Sequence, residues 1–578
     1  MKQKPILFTF VVILAFIPGI LCFGADSLKA TGPFDILVIS GIITNPQGKG
    51  VKDCALFFHL NNEKIELEKA ITSSRNGTYE AELRFPAGRL AGAQLALEIS
   101  KPSYQRLGRL VVDEITREKI DDKGNSFYLA HKNIVLKRAV TPAFWIAALV
   151  LLGVYVLIAF EFMHRTLAAF LGAALVLFVS YTAGAFNADY VIITFEDAAA
   201  AIDLNVIFLL MAMMIMVSII EKTGVFQWLA SRSYQLSRGN VFVLATLLMF
   251  ITAVISSFLD NVTTMLLIIP VTIKIAQALK INPVTLLIPE VFASNIGGTA
   301  TLIGDPPNIM IGSFAHLTFV DFVYHLALVC LICLAVSIVY FMYWYKMDFS
   351  NSSAADAGKM MDHFKTDDYK IKDKTLLIYC GVVLGMTIFL FIAHGALKMP
   401  PSIAAMTGAA ILLVVSRVDI VETLEHEIEW PTLIFFMMLF IVVAGAEETG
   451  LIQIIADWVN RISKGSIVVA VLVILWVSAL ASSIIDNIPF TATMLPIVAY
   501  LTEVVPGAQG GILWWALALG ACLGGNGTMI GASANVVTVG MAEREGYSIS
   551  FMEYLKIAFV PMIITIILSS IWLLVIKM

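Results

Sequence analysis

SSFLDNVTTMLLIIP, residues 256–270, and SSIIDNIPFTATMLP, residues 482–496, are one stretch written twice. Each opens on two serines, closes on a proline, and sets an Asp-Asn pair inside an apolar run, with Asp260 and Asp486 226 residues apart. A charge near the centre of a bilayer costs at least roughly 2.5–3.5 kcal/mol on insertion scales. Both aspartates therefore need water, a cation, a proton or hydrogen-bond donors.

The surroundings are those of a membrane. The 578 residues are 59% hydrophobic and 14% charged, with mean hydropathy +0.86, against roughly 45–50% apolar and 25% charged in a soluble domain. Apolar stretches long enough to cross a bilayer begin with PAFWIAALVLLGVYVLIAF (142–160) and end with IAFVPMIITIILSSIWLLVI (557–576). Net charge is −5 with no long basic run, which excludes nucleic-acid binding as a function. The six cysteines, at 22, 54, 330, 333, 380 and 522, form no disulfide framework or zinc spacing. Cys330 and Cys333 lie in an apolar helix and read as packing residues.

The duplication extends beyond the Asp-Asn pairs. LAAFLGAALVLF from 167 aligns with IAAMTGAAILLV from 403, and IDLNVIFLLMAMMIMVSIIEKTG from 202 with IEWPTLIFFMMLFIVVAGAEETG from 428. SNIGGTATLIGDPPN (294–308) matches CLGGNGTMIGASAN (522–535), ending on Asn308 and Asn535. Internal duplication of membrane segments is the mark of secondary transporters, whose sites lie where the two halves meet.

These observations predict an α-helical polytopic membrane protein with two inverted repeats and broken helices, preceded by a small exported all-β sandwich. Residues 1–25 read as a signal peptide or signal anchor, 35–138 as the β-sandwich, 142–345 as the first transport repeat, 346–373 as a cytoplasmic linker and 374–578 as the second repeat. Lysines in the linker, and His164 and Arg165 after the first span, set the orientation. An odd number of crossings per half then inverts the repeats. In the N-terminal part, alternating apolar residues separated by turns predict short antiparallel strands. That stretch resembles the carboxypeptidase-regulatory and transthyretin-like sandwiches. Asn76-Gly77-Thr78 fits both a glycosylation sequon and a hairpin turn, and reads as the turn.

The chemistry concentrates in the repeated motifs. Asp260 and Asp486, each followed by Asn261 or Asn487 and then by Thr263 and Thr264 or by Thr491, predict a break between two helices where carboxylate, hydroxyl and carbonyl oxygens gather. Hard cations such as Na⁺ take oxygen ligands of this kind, and a carboxylate also seats a proton. In the second motif Asn295, Gly297, Gly298, Thr299, Asp305 and Asn308 face Gly524, Gly525, Asn526, Thr528 and Asn535. Its glycines allow close backbone approach and Pro306 and Pro307 remove donors. Broken backbone of this sort survives at membrane depth only when buried or lining a cavity. Asp305 has no counterpart, since Ala532 stands in its place. Ser257, Ser483 and Glu290 are accessory; Glu290 either tunes a proton path or is paired structurally. Glu221 and Glu447, beside Thr-Gly, read as interfacial. A Na⁺ site is expected at Asp260, Asn308, Asp486 and Asn535, with Asn261 and Asn487 completing the cage.

SSFLDNVTTMLLIIPVTIKI, NIGGTATLIGDPPN, SALASSIIDNIPFTATMLPI and GACLGGNGTMIGASANVVTVGMAEREGYSISFMEY resemble the ion transporter superfamily of arsenite pumps, NhaD-type sodium/proton antiporters and citrate and dicarboxylate carriers. The likeness covers nearly all of 142–578 and is nearest to the P-protein branch and its bacterial members. It implies inverted repeats, re-entrant hairpins meeting at the motif asparagines, and homodimers that work by an elevator motion. Expected is a Na⁺/H⁺ antiporter working by alternating access, with small ions and the lipid bilayer as its partners and no cofactor. The alternatives are a carrier of an anion, carboxylate or arsenite-like oxyacid coupled to H⁺ or Na⁺, an anion channel regulating compartment pH, and a receptor sensing through its β-domain. No nucleophile–base pair, nucleotide loop or metal spacing points to an enzyme. A bacterial inner membrane with the sandwich outside suits the export signal.

Overall fold

A computed structural model describes residues 34–576 except 47, 68, 69, 75, 91, 113, 114, 121–124, 161 and 351–369. The signal segment expected over 1–25 and most of the linker expected over 346–373 lie outside the described residues. Contacts divide the chain into two units between Lys137 and Arg138.

The first unit is built from two five-stranded sheets. Strand β1 (Phe34–Thr44) alternates strictly, burying Leu37, Ile39 and Ile43 on one face. It pairs antiparallel with β5 (Thr78–Pro86) and parallel with β9 (Ser126–His131). The second sheet centres on β2 (Ala55–Leu60) and β6 (Leu95–Ser100), paired antiparallel. Phe58 and Leu97 from this sheet share one core with Leu37, Tyr79 and Leu83 from the other. The parallel pairing of β1 departs from the antiparallel expectation. Parallel neighbours need a long crossover, and the strands of the second sheet lie between β1 and β9 in the chain.

The second unit is helical. Its principal helices in the first half are α1 (Pro142–Ala159), α2 (Arg165–Tyr181), α3 (Leu204–Lys222), α4 (Val225–Ser237), α5 (Val241–Ser256), α6 (Asn261–Ala278), α7 (Val284–Thr299), α8 (Pro306–Ala315) and α9 (Phe319–Trp344). In the second half they are α10 (Lys374–Leu397), α11 (Pro401–Ser416), α12 (Trp430–Glu448), α13 (Leu451–Ser463), α14 (Ile467–Ser482), α15 (Asn487–Val504), α16 (Ile512–Gly524), α17 (Ser533–Arg544) and α18 (Phe551–Ile571). Among the described residues eight helices are long and apolar enough to cross a membrane, and α5, α11, α14 and α16 are shorter apolar helices.

The order recurs helix for helix. From α3 to α6 every boundary is repeated 226 residues later, in α12 to α15. The turns recur as well: Gly224 and Gly450 take φ of 78° and 88° between α3 and α4 and between α12 and α13, a left-handed conformation in which a Cβ is disfavoured. Packing also pairs across the halves. Helix α2 packs on α12 and α11 on α3; α17 packs on α6 and α8 on α15. Helices α1–α3 and α10–α12 thus form a frame, and the rest a core in which the helix N-termini of α6, α8, α15 and α17 meet.

Candidate functional site

Asp260 and Asp486 each stand in a break, between α5 and α6 and between α14 and α15, and each caps the following helix. Asp260 Oδ1 accepts from the Thr263 backbone N–H at 3.0 Å and Oδ2 from the Thr263 hydroxyl at 2.5 Å. Asp486 Oδ1 accepts from the Ile488 N–H at 2.9 Å and Oδ2 from Ser533 Oγ at 2.7 Å. Positive partial charge at a helix N-terminus favours a carboxylate there. Asp260 is half-buried, and Asp486 is buried.

The asparagines do not turn toward these aspartates. Asn261 Nδ2 donates to Asn295 Oδ1 at 3.0 Å, and Asn295 Nδ2 donates at 2.9 Å to both Asn526 Oδ1 and Asn535 Oδ1. A chain of amides therefore joins α6 and α7 of the first half to the α16–α17 break and α17 of the second. All four are at most 2% exposed, so each bond forms in a medium where an unmade one is expensive. Asn535 Nδ2 also donates to the Gly525 and Thr528 carbonyls, and Asn308 Nδ2 to those of Thr299 and Thr301. These two asparagines thus pin the two breaks, and Asn308 Oδ1 takes the Cys522 thiol at 3.5 Å. Asn487 Nδ2 lies 3.4 Å from both oxygens of Asp305, which is buried.

The glycines act as the sequence expects of close backbone approach. A Cβ on Gly297 would lie 2.1 Å from the Ala253 carbonyl oxygen, and one on Gly524 would lie 2.4 Å from Ala479 Cα. On Gly298 and Gly525 it would meet the carbonyl oxygens of Gly304 and Gly531, at 2.5 and 2.9 Å. Hydroxyls close the same turns in both halves: Thr301 donates to the Ser257 carbonyl and Thr528 to that of Ser483. Thr299 donates to the Asn295 carbonyl. Ser257 and Ser483 side chains bond back within their own helix ends, to Val254 and Leu480.

Thr264 Oγ1, Thr491 Oγ1 and Asn526 Nδ2 are buried without a hydrogen-bond partner among the described residues. Glu290 sits apart, accepting from Thr272 at 2.9 Å through one oxygen only. Glu221 and Glu447 are exposed at the ends of α3 and α12. The residues nominated for Na⁺ do not form one cage, since Asn308 and Asn535 are occupied with backbone and amide partners. Among the described residues no three His, Cys, Asp or Glu side chains stand together as metal ligands.

Arg165, which the sequence marks only as an orientation signal, belongs to the site. Its Nη1 donates to Ser533 Oγ at 2.5 Å and lies 3.8 Å from Asp486 Oδ2, while Nη2 donates to Thr432 Oγ1 at 3.0 Å. The guanidinium lies over the Phe435 ring, 5.5 Å from its centroid. With His164, Glu429, Asp486 and Ser533 it lines a cavity of about 470 Å³. Tyr155 of α1 reaches the same region, donating to the Pro489 carbonyl at 2.7 Å. One signal was available: Arg165 is the first residue of an apolar helix, where the dipole disfavours a cation, so a carboxylate partner elsewhere was called for.

A family model described as citrate transporter matches residues 155–520. The chain belongs to the citrate transporter family. An uncharacterized transporter of Mycobacterium bovis is 42% identical over 434 residues, covering 74% of this chain and 97% of its own length. The 46 kDa membrane protein of Mycobacterium leprae is 42% identical over 430 residues with the same coverage. The P protein of Homo sapiens is 36% identical over 521 residues, covering 77% of this chain, which spans 61% of that protein. These relatives bear out the expected superfamily and its P-protein branch, and they fix the class: this is an integral membrane transporter.

Proposed function

We propose that the protein is a secondary active cation/proton antiporter, exchanging Na⁺ for H⁺ by alternating access across two inverted repeats with re-entrant hairpins. The carrying observation is charge balance at the site. Asp260, Asp305 and Asp486 lie in the membrane core, and among the described residues only Asp486 has an ion pair, with Arg165. The remaining carboxylates call for a proton or a metal cation. Asp260 with Thr263, the open hydroxyls of Thr264 and Thr491, and the carbonyls of the two breaks supply the hard oxygen ligands that Na⁺ takes. Asp486 binds the second cation or proton, the amide chain through Asn261, Asn295, Asn526 and Asn535 couples the halves, and Asp305 tunes the charge. The protein works as a homodimer in a bacterial inner membrane, with residues 35–138 as an accessory module outside.

Arg165 favours a second reading. A guanidinium lining a cavity of about 470 Å³ beside the N-terminus of α17 suits an anion, and the family's citrate carriers make a carboxylate the natural choice. In that case Asp260 holds a coupling Na⁺ or H⁺. Proteoliposomes carrying an internal pH dye separate the two when challenged with Na⁺, Li⁺, K⁺, chloride, arsenite, citrate and dicarboxylates. A Na⁺- or Li⁺-driven pH change lost in Asp260→Asn and Asp486→Asn supports the antiporter. Flux only with an anion or oxyacid overturns it in favour of the second reading.

A further inference from the structure

The two halves agree within the frame and within the core and disagree where frame meets core. Helix α3 packs on α8, whereas its counterparts α12 and α17 hardly touch. At the first edge Asn205, the second residue of α3, donates to Ser313 Oγ at 2.9 Å, in the eighth position of α8. At the second edge the contact is Arg165 with Ser533, the first position of α17. The repeat counterparts of Asn205 and Ser313 are Pro431 and Gly540. The side-chain contact at the frame edge therefore falls seven positions further along the core helix in the first half. Arg165 stands at the start of α2 and Asn205 at the start of α3, and the arginine reaches further, so at ~1.5 Å per residue the offset is at most about 10 Å, or two helical turns.

The cavities differ in the same sense. The one beside Arg165 runs in to Asp486 and Ser533. A second, of about 490 Å³, lies at the counterpart edge against Asn205, Pro400 and Pro401, and ends at Gly312, Ser313 and His316 without including Asp260. Arg165 explains how the first edge is held. It is tied to the frame by Thr432 and Phe435 and to the core by Ser533 and Asp486. A shift of two turns preserves the frame contacts and breaks both core contacts. Its counterpart on α11 is Pro401, so the opposite state has no guanidinium to hold it.

We propose that Arg165 is a one-sided clamp, a positioning residue that holds the core in the conformation described here and lets go when the core slides seven residues along the frame. In the other state Gly540 meets Pro431, and Asn205 meets the start of α8. The assignment rests on the transporter reading, but not on which ion is carried.

The test is disulfide formation in the full chain in liposomes, in two cysteine pairs. Asn205→Cys with Ser313→Cys reports the state described, and Pro431→Cys with Gly540→Cys reports the other. Gly540 accepts a Cβ with no atom within 4 Å, Pro431 is exposed, and the described native cysteines are buried. Both pairs are expected to link, the first faster. Arg165→Gln is expected to raise the rate of the second pair relative to the first several-fold, and Arg165→Lys, which keeps the charge, to restore most of the original ratio. A 431/540 pair that never links, or a ratio that Arg165→Gln leaves unchanged, overturns the clamp. If the ratio moves as expected while no solute drives flux, the clamp stands and the transport reading fails; flux with an unmoved ratio is the reverse.

Discussion

Replacing Asn295 by alanine strikes the residue at the middle of the amide chain that joins the two halves at the site. Three side-chain bonds go: the one accepted from Asn261 and the two donated to Asn526 and Asn535. Interhelical bonds in membrane proteins are worth about 0.6 kcal/mol each on average, which sets a floor near 2 kcal/mol for three. The ceiling comes from the partners left behind, at about 1–3 kcal/mol for each buried group without a bond. Asn526 suffers most, because its Nδ2 has no partner among the described residues to begin with. A loss of about 2–9 kcal/mol is expected, read as a shift of the unfolding midpoint in mixed micelles followed by tryptophan fluorescence. Asn295→Asp keeps the shape but turns a donor into an acceptor facing two amide oxygens, and is expected to abolish flux even in the folded fraction. Should Asn295→Ala unfold within about 0.5 kcal/mol of the parent, the margin of an ordinary surface change, and transport normally, the amide chain is not what couples the halves.

Asp260→Asn and Asp486→Asn are expected to fold, because asparagine caps a helix as well as aspartate does, yet to lose Na⁺-driven proton flux in liposomes; retained flux in either would remove that residue from the ion site. Gly297→Ala and Gly524→Ala each drive a Cβ into neighbouring backbone and are expected to lower stability by at least about 1–3 kcal/mol. Gly540→Ala, with open space around it, is the control and is expected to gain up to about 1 kcal/mol from helix propensity. Equal melting temperatures for the three would contradict the packing. Deleting residues 35–138 is expected to leave flux per molecule unchanged, and its loss would make the β-unit part of the transport machinery.

The duplication and the site motifs were legible in the chain because each rests on local pattern. Repeat offsets of 226 from α3 to α6 and of 227 at α8 fix which helices correspond, and Gly297, Asp305 and Asn308 fall in a sequence that no uninterrupted helix would carry. What local pattern could not give is which partner each side chain takes. Asp260 and Asn261 are neighbours, but one is the N-cap and the other the first residue of α6. Successive helical residues point about 100° apart, so the carboxylate stays on the cap while the amide turns into the core toward Asn295. Arg165 was missed as a site residue for a similar reason: Ser533 is 368 residues away in the chain. The parallel neighbours of β1 were hidden likewise, since alternation says which face is buried and not which strand lies alongside.

Two asymmetries between the halves converge on the second-half Asp-Asn pair. Asp305, which has no counterpart, faces Asn487, and Arg165, which has none either, faces Asp486 and its partner Ser533. Both come from the first half and both modify the second-half motif. The paired Asp-Asn sequences are therefore alike in the chain and unlike in the fold. Asp486 is neutralised by a residue of the frame, so a cation binding there competes with Arg165 and must displace it or share the carboxylate. Among the described residues Asp260 is held by the start of its own helix and by Thr263, and no basic side chain pairs with it. On the proposed reading an exchangeable cation or proton at Asp260 meets the smaller barrier. Arg165→Gln should accordingly strengthen cation binding at Asp486 and leave Asp260 as it was. Apparent Na⁺ affinity measured in Arg165→Gln, with and without Asp260→Asn, decides this: a gain that persists without the Asp260 carboxylate places the competition at Asp486, and no gain in either removes Arg165 from the charge balance.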